Sequence, residues 1–225
     1  LNALKENLDQ SIKLYADIIL NPSFPKNELE RLRKQRLAQI QQEKNQPFGI
    51  ALRVLPKLLY GENHAYSMPL TGSGTEESIS KITQDSLIEF HKKWFKPNNA
   101  TMIIVGDVSM DEIKPKLEKY FKNWAAGDLL QKNIIPVENN KEETIYLIDR
   151  PGAQQSIVLA ANIAPSPSNS DELAIESMNE IIGGSFTSRI NMNLREDKGW
   201  SYGARSRLSA YKGPRPMLVT APVQT

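Results

Sequence analysis

The spacing of apolar residues changes character along the chain, and that change limits the fold more tightly than any single residue does. Near the N-terminus Leu1, Leu4, Leu8, Ile12, Tyr15 and Ile19 recur at steps of three and four, the spacing of a helix with one buried face. The segment NPSFP at 21–25 holds two prolines and reads as a turn. A long charged helix is expected from Asn27 to Asn45, with Leu29, Leu32, Leu37 and Ile40 facing inward. Pro47 and Gly49 interrupt the pattern, and a further helix is expected over 50–59. Residues 61–83 are rich in loop formers, after which Leu87, Ile88, His91, Trp94 and Phe95 share one stripe of a helix over 84–95.

Beyond the turn KPNN the helical period gives way. Thr101-Met-Ile-Ile-Val105 is a short β-rich run of the kind that forms a buried strand. Ser109-x-x-Glu112 resembles a capping box opening a helix that reaches Trp124. Residues 126–142 keep no period and mix Gly, Pro and charge, as a linker does. Strands are then expected at 144–148 and 156–163 around the turn Asp149-Arg-Pro-Gly152. Asn169-x-x-Glu172 is a candidate cap for a helix reaching Ile182, which Gly183-Gly184 would stop. A short helix over 187–196 and strands at 201–208 and 216–221 follow. The expected class is α+β, with one domain over 1–125, the linker at 126–142 and a second domain over 143–225.

Composition removes several functions. With 28 Lys+Arg against 26 Asp+Glu the charge is too balanced for a nucleic-acid or anionic-membrane surface. The absence of cysteine excludes disulfides, thiolate metal sites and thiol nucleophiles. No apolar run reaches the roughly 18 residues a membrane span needs, and the amphipathic N-terminus is not a signal peptide. A chain opening inside a helix is expected to be a fragment.

Only two histidines are present, His64 in a loop and His91 on the apolar side of a helix, and neither has a second ligand at helical spacing. No nucleophile elbow, phosphate loop or dinucleotide fingerprint occurs. The basic run over 30–36, interleaved with Glu and Gln, reads as a solvated helix face. The most informative stretch is GGSFTSRINMNLREDKGWSY over 183–202, which sets Arg195 near a helix end and Tyr202 seven residues on, past Gly199. A guanidinium offers a planar fork for a carbonyl or carboxylate, and a phenol adds one hydrogen bond. Taken alone, the same pair equally fits a helix-end cation and a packed strand residue.

This stretch is similar to the second-domain signature of the insulinase/pitrilysin family of zinc peptidases. LNPSFPKNELERLRKQ, LLYGENHAYSMPLTGSGTEESISKIT and EFHKKWFKPNNATMIIVGDV resemble successive landmarks of that family, in the family's order. The resemblance implies two homologous α+β domains per half, each an antiparallel sheet packed by helices, this chain covering the later part of the first and the first part of the second. It implies two halves closing around unfolded peptide, one with an H-x-x-E-H zinc motif and the other with an Arg/Tyr pair that holds the substrate. By motif match the pair is Arg195 and Tyr202. No H-x-x-E-H occurs in the 225 residues. The position of the family's remote zinc glutamate falls on Gln39, a neutral amide that makes a poor zinc ligand, with Glu43 one turn on as the fallback.

The chain is therefore expected to be a non-catalytic, substrate-gripping half or its fragment. It would bind no metal itself, would work with a zinc-bearing partner half, and would be inactive alone. The alternatives are a scaffold without peptidase role, or part of an active zinc endopeptidase whose H-x-x-E-H lies upstream of residue 1. The resemblance also points to a bacterial periplasm or cell envelope.

Overall fold

The computed structural model describes residues 1–139 and 142–224. Asn140 and Lys141, inside the expected linker, and Thr225 lie outside the described residues. The chain forms two compact units, one of Leu1–Gln35 with Glu77–Lys132, the other of Arg36–Glu76 with Asn133–Thr225. The class is α+β.

In the first unit, α1 (Leu8–Leu20) packs against α6 (Met110–Phe121). Ile12, Ala16 and Ile113 are buried; of these the spacing predicts only Ile12 inward, and Leu1, Leu4 and Leu32, also read as inward, are 66%, 68% and 51% exposed. The helix α2 (Lys26–Lys44) begins here and runs on into the second unit. Its Arg33 caps the end of α4 (Glu76–Lys81), donating to the carbonyls of Ile79, Ser80 and Ile82, groups that a helix C-terminus leaves without partners. Both capping boxes in this unit are complete. Thr83 and Ser86 exchange backbone and side-chain bonds at the start of α5 (Gln84–Trp94). Ser109 and Glu112 do the same for α6, at 3.3 and 3.2 Å. The strand expected at 101–105 belongs to no ladder among the described residues.

The second unit is built on an antiparallel sheet of order β1-β3-β2, comprising β1 (Gln155–Ala164), β2 (Arg205–Leu208) and β3 (Arg215–Gln224). The central β3 pairs along its length with β1, from Gln155 opposite Gln224 to Ala164 opposite Arg215. The shorter β2 joins from Arg205 opposite Thr220 to Leu208 opposite Met217. The helix α3 (Pro47–Tyr60), with proline in its first turn, packs on β1. Arg215 is buried and paired with Glu172, and its Nε donates to the Pro165 carbonyl at 2.9 Å. The ion pair ties the start of β3 to α7 (Glu172–Asn179). The strand expected at 144–148 is, like 101–105, outside any ladder among the described residues.

Two expectations are corrected around α7. Asn169 is not its cap: Asn169 Oδ1 accepts from the Asp171 N–H at 2.8 Å as a turn, and Asp171 precedes the first helical residue, Glu172. Nor does the helix stop before the glycines: it includes both, ending at Gly184 rather than Ile182. It widens into a π turn over Glu180–Gly184 that lies directly on β2. A Cβ at Gly183 would stand 2.4 Å from the Ser206 backbone nitrogen, so glycine here permits a close approach of main chains rather than ending a helix. Ser206 Oγ in turn donates to Asn179, to its carbonyl at 3.2 Å and its Oδ1 at 2.8 Å.

Gly183→Ala is therefore expected to force helix and strand apart and to cost about 1–3 kcal/mol. Thermal unfolding followed by circular dichroism checks this, with a fall in Tm of roughly 2–4 °C per kcal/mol. An unchanged Tm would mean that the main chains do not approach this closely.

Candidate functional site

The signature over 183–202 folds as a helix, a turn and an approach to β2. After the Phe186–Thr187 turn, α8 (Arg189–Asn191) widens into a π turn over Met192–Asp197. Its last carbonyls are satisfied by the chain that follows. Lys198 N–H donates to Asn193, Gly199 N–H to Arg195 and Trp200 N–H to Leu194, at 3.1, 3.2 and 2.9 Å. Gly199 makes the reversal with a φ of 64°, in the left-handed region that suits glycine. Buried Asn191 then pins both sides of the turn, donating from Nδ2 to the Phe186 carbonyl at 2.7 Å and accepting at Oδ1 from the Ala204 N–H at 3.1 Å.

This frame presents the two expected site residues differently. Tyr202 is 80% exposed and makes no hydrogen bond among the described residues. It lines an open cavity of about 560 Å³ together with Pro47, Gln224 and the turn residues Arg150 to Gln155. Arg195 is half exposed, lies over the Phe186 ring at 4.8 Å and meets Glu196 Oε1 at 3.3 Å. Trp200 beside it is also exposed, with the Lys198 ammonium 4.8 Å from its ring. The residues form an exposed aromatic and cationic surface, but no hydrogen bond joins Arg195 to Tyr202 among the described residues. The cation that shares the cavity with Tyr202 is Arg150, which sequence reasoning took only as part of a Pro-Gly turn.

Gln39, itself exposed, and Glu43, half-buried, belong to one polar network. Arg36 Nη1 donates to Gln39 Oε1, and Gln39 Nε2 donates to Glu43 Oε1, both at 3.0 Å. The other Glu43 oxygen accepts from Arg53 at 2.7 Å, Ser73 at 2.7 Å and Thr71 at 3.0 Å. Four donors meet the roughly four acceptor directions of a carboxylate, and the Arg53–Glu43 pair is nearly buried, at 10% and 13% side-chain exposure. Burial alone would raise the Glu43 pKa, but the bonds from Ser73, Arg53, Thr71 and Gln39 outweigh it and hold the group below its ordinary value. A metal ion at Glu43 would have to displace this whole shell, and an amide at 39 adds no charge to attract it. The pair does not fit zinc. Arg53, Thr71 and Ser73 were not singled out from the sequence.

Both histidines are packed and bonded to main chain. His64 is buried, stacked on Tyr60 at 4.9 Å and edge-on to Tyr66. Its Nδ1 accepts from the Tyr66 N–H at 3.0 Å, which leaves Nε2 as the donor to the Ile135 carbonyl at 3.0 Å. Burial raises the Tyr60 and Tyr211 pKa values, with the neighbouring tyrosines adding to the effect. His91 Nε2 lies 2.7 Å from the Ile19 carbonyl, its ring stacked on Phe95. Among the described residues no cluster of three or more His, Asp or Glu is placed to hold a metal ion. No helix among them is long and apolar enough to cross a membrane.

Because folding lowers the Glu43 pKa, the network's stabilisation is present above the ordinary value of 4.5 and is lost as pH falls through the folded value. Urea unfolding across that window should show wild-type stability falling and a Glu43→Gln variant falling less. At pH 7 the variant, with Arg53 left unpaired, should be about 3–5 kcal/mol less stable. Equal pH slopes for the two proteins would remove Glu43 as the titrating group.

Comparison with known proteins locates this geometry in a family. The model of the peptidase M16 inactive domain matches residues 81–225. The chain is 25% identical over 209 residues to the uncharacterized zinc protease YmxG of Bacillus subtilis, covering 93% of this chain and 49% of that protein. It is 25% identical over 207 residues to the non-peptidase homolog YmxG of Helicobacter pylori, covering 92% and 47%. The crystal structure of a peptidase M16 inactive domain from Pseudomonas fluorescens superposes with a TM-score of 0.87 at 26% identity, over 98% of this chain and 52% of that one. The chain thus spans about half the length of the curated relatives it matches.

Proposed function

The chain belongs to the M16, insulinase/pitrilysin-type, peptidase family through its inactive domain, and on that premise we propose that it grips peptide backbone for hydrolysis at the zinc of a partner half. The observation that carries this reading is Tyr202, an exposed phenol with no internal partner at the edge of a polar cavity. A tyrosine held in the open by the buried Asn191 frame has its hydroxyl free to donate to or accept from an extended chain. Arg195, on the same turn, supplies a planar donor fork once a peptide carbonyl competes with Glu196. Such contacts read backbone rather than side chains, so the expected substrate class is unfolded polypeptide. The Gln39–Glu43 network supports assigning the zinc to the other half, because its acceptor directions are already filled. A periplasmic or envelope home goes with this reading through the family resemblance.

One observation favours a scaffold instead: Arg195 is already engaged by Phe186 and Glu196, as a structural residue would be. The two readings separate on peptide affinity. On the gripping reading, Tyr202→Phe and Arg195→Ala each weaken binding of an unstructured peptide by about 5–20-fold, the loss of one hydrogen bond or one charge-assisted bond. The double variant abolishes cleavage when a zinc-bearing half is supplied, with the circular dichroism spectrum unchanged. Cleavage and peptide affinity that survive both substitutions would leave the scaffold.

A further inference from the structure

The cavity that Tyr202 lines also holds a cation with no partner inside the protein. Arg150 is exposed, and its guanidinium makes no ion pair or hydrogen bond among the described residues. The turn that Arg150 opens fixes its backbone. Residues 150–153 form a β-turn closed by the Ala153 N–H, which donates to the Arg150 carbonyl at 3.2 Å. Proline at the second position and glycine at the third, with a φ of 77°, are the residues of a type II turn. Pro151 also confines the residue before it to extended backbone, so position 150 has little freedom.

The sheet brings this turn to Tyr202. β1 begins just after the turn, at Gln155 opposite Gln224, and β2 begins just after Tyr202, at Arg205 opposite Thr220. Both run antiparallel to β3, so both start at the end where β3 finishes. Arg150 and Tyr202 thus lead into strands about 10 Å apart across β3, a span of about three extended residues. The amides of Gln154, Gln155 and Gln224 line the same cavity, and no carboxylate lines it among the described residues. Asp149, next to Arg150 in the chain, stays outside the lining. The cavity therefore sets one full positive charge, without a counter-ion, among neutral hydrogen-bonding groups. Arg195 differs, because Phe186 and Glu196 already engage it.

Resting on the gripping role of Tyr202, we propose that this cavity selects peptides by charge, with Arg150 binding a carboxylate of the chain that Tyr202 holds. A free guanidinium meets a carboxylate through two parallel charge-assisted bonds. The phenol and the glutamine amides meanwhile serve the peptide's main chain. The carboxylate lies a few residues from the peptide unit on Tyr202. It belongs to an aspartate or glutamate side chain or to the peptide's own C-terminus, which share this chemistry. Lysine or arginine at the same place is repelled. Arg150 sets specificity and takes no part in bond cleavage.

Fluorescence anisotropy with the intact protein tests this on three labelled, unstructured peptides of equal length. The first carries aspartates and an amidated end. The second has asparagine at those positions, and the third is the second with a free C-terminal carboxylate. The first, the third or both should bind about 5–20-fold more tightly than the second, and which of them does identifies the carboxylate. Arg150→Gln, at an exposed position, should erase that preference and leave the affinity for the second peptide unchanged. Tyr202→Phe should weaken all three alike and keep the preference. Equal binding of the three peptides by the wild type, or a preference that survives Arg150→Gln, overturns the proposal and leaves the grip standing. Affinities that Tyr202→Phe does not change remove the gripping role, and the proposal falls with it.

Discussion

The close approach of two main chains at Gly183 and Ser206 is the contact on which the second unit depends. A helix resting on a sheet is ordinarily held off by side chains, and here the separation collapses because residue 183 has none. The contact seats the π turn over Glu180–Gly184 on β2, and Ser206 answers by bonding back to Asn179. From that seat the chain continues through Ser188 and α8, so the direction in which Arg195 and Tyr202 leave the frame follows from it. The buried Arg215–Glu172 pair closes the other end of the same helix–sheet contact. The outcome is a hydrogen-bonded mount for an exposed phenol, which is what the proposed grip on a peptide needs.

Periodicity and caps made much of the helical part legible. Ile12 and Ile40 are buried as their spacing required, although Leu32, read on the same face as Ile40, is exposed, and Ser109-x-x-Glu112 closes as a capping box because all its partners are local. What escaped was non-local or ambiguous. A glycine that stops a helix and a glycine that admits another backbone look identical in one dimension, so Gly183 read as a terminator. The partners of Glu43 lie ten residues away at Arg53, and 28 and 30 residues away at Thr71 and Ser73. No local pattern joins them. Residues 101–105 and 144–148 have the composition of strands, but composition cannot name the strand that pairs with them.

The candidate site was legible only through likeness to a family. Arg195 and Tyr202, read as single residues, are a helix-end cation and an aromatic near a strand, and the structure keeps something of both readings. Arg195 is indeed tied to its own neighbourhood, whereas Tyr202 is not. The cavity that Tyr202 lines also brings in Arg150, which is distant in sequence and arrives because β1 and β2 both pair with β3.

The network around Gln39 bears on what a single substitution there could do. Gln39 works there as an amide, accepting from Arg36 with one atom and donating to Glu43 with the other, which no carboxylate can do. A glutamate arriving at 39 would face the charge of Glu43 across the distance now spanned by a hydrogen bond, before any metal was present to reconcile them. Arg53, Thr71 and Ser73 would still be holding the second carboxylate in place. A zinc ligand at 39 would thus take more than one substitution, because the bonds that hold Glu43 would have to be released as well. The amide at 39 is matched on both its atoms by its neighbours.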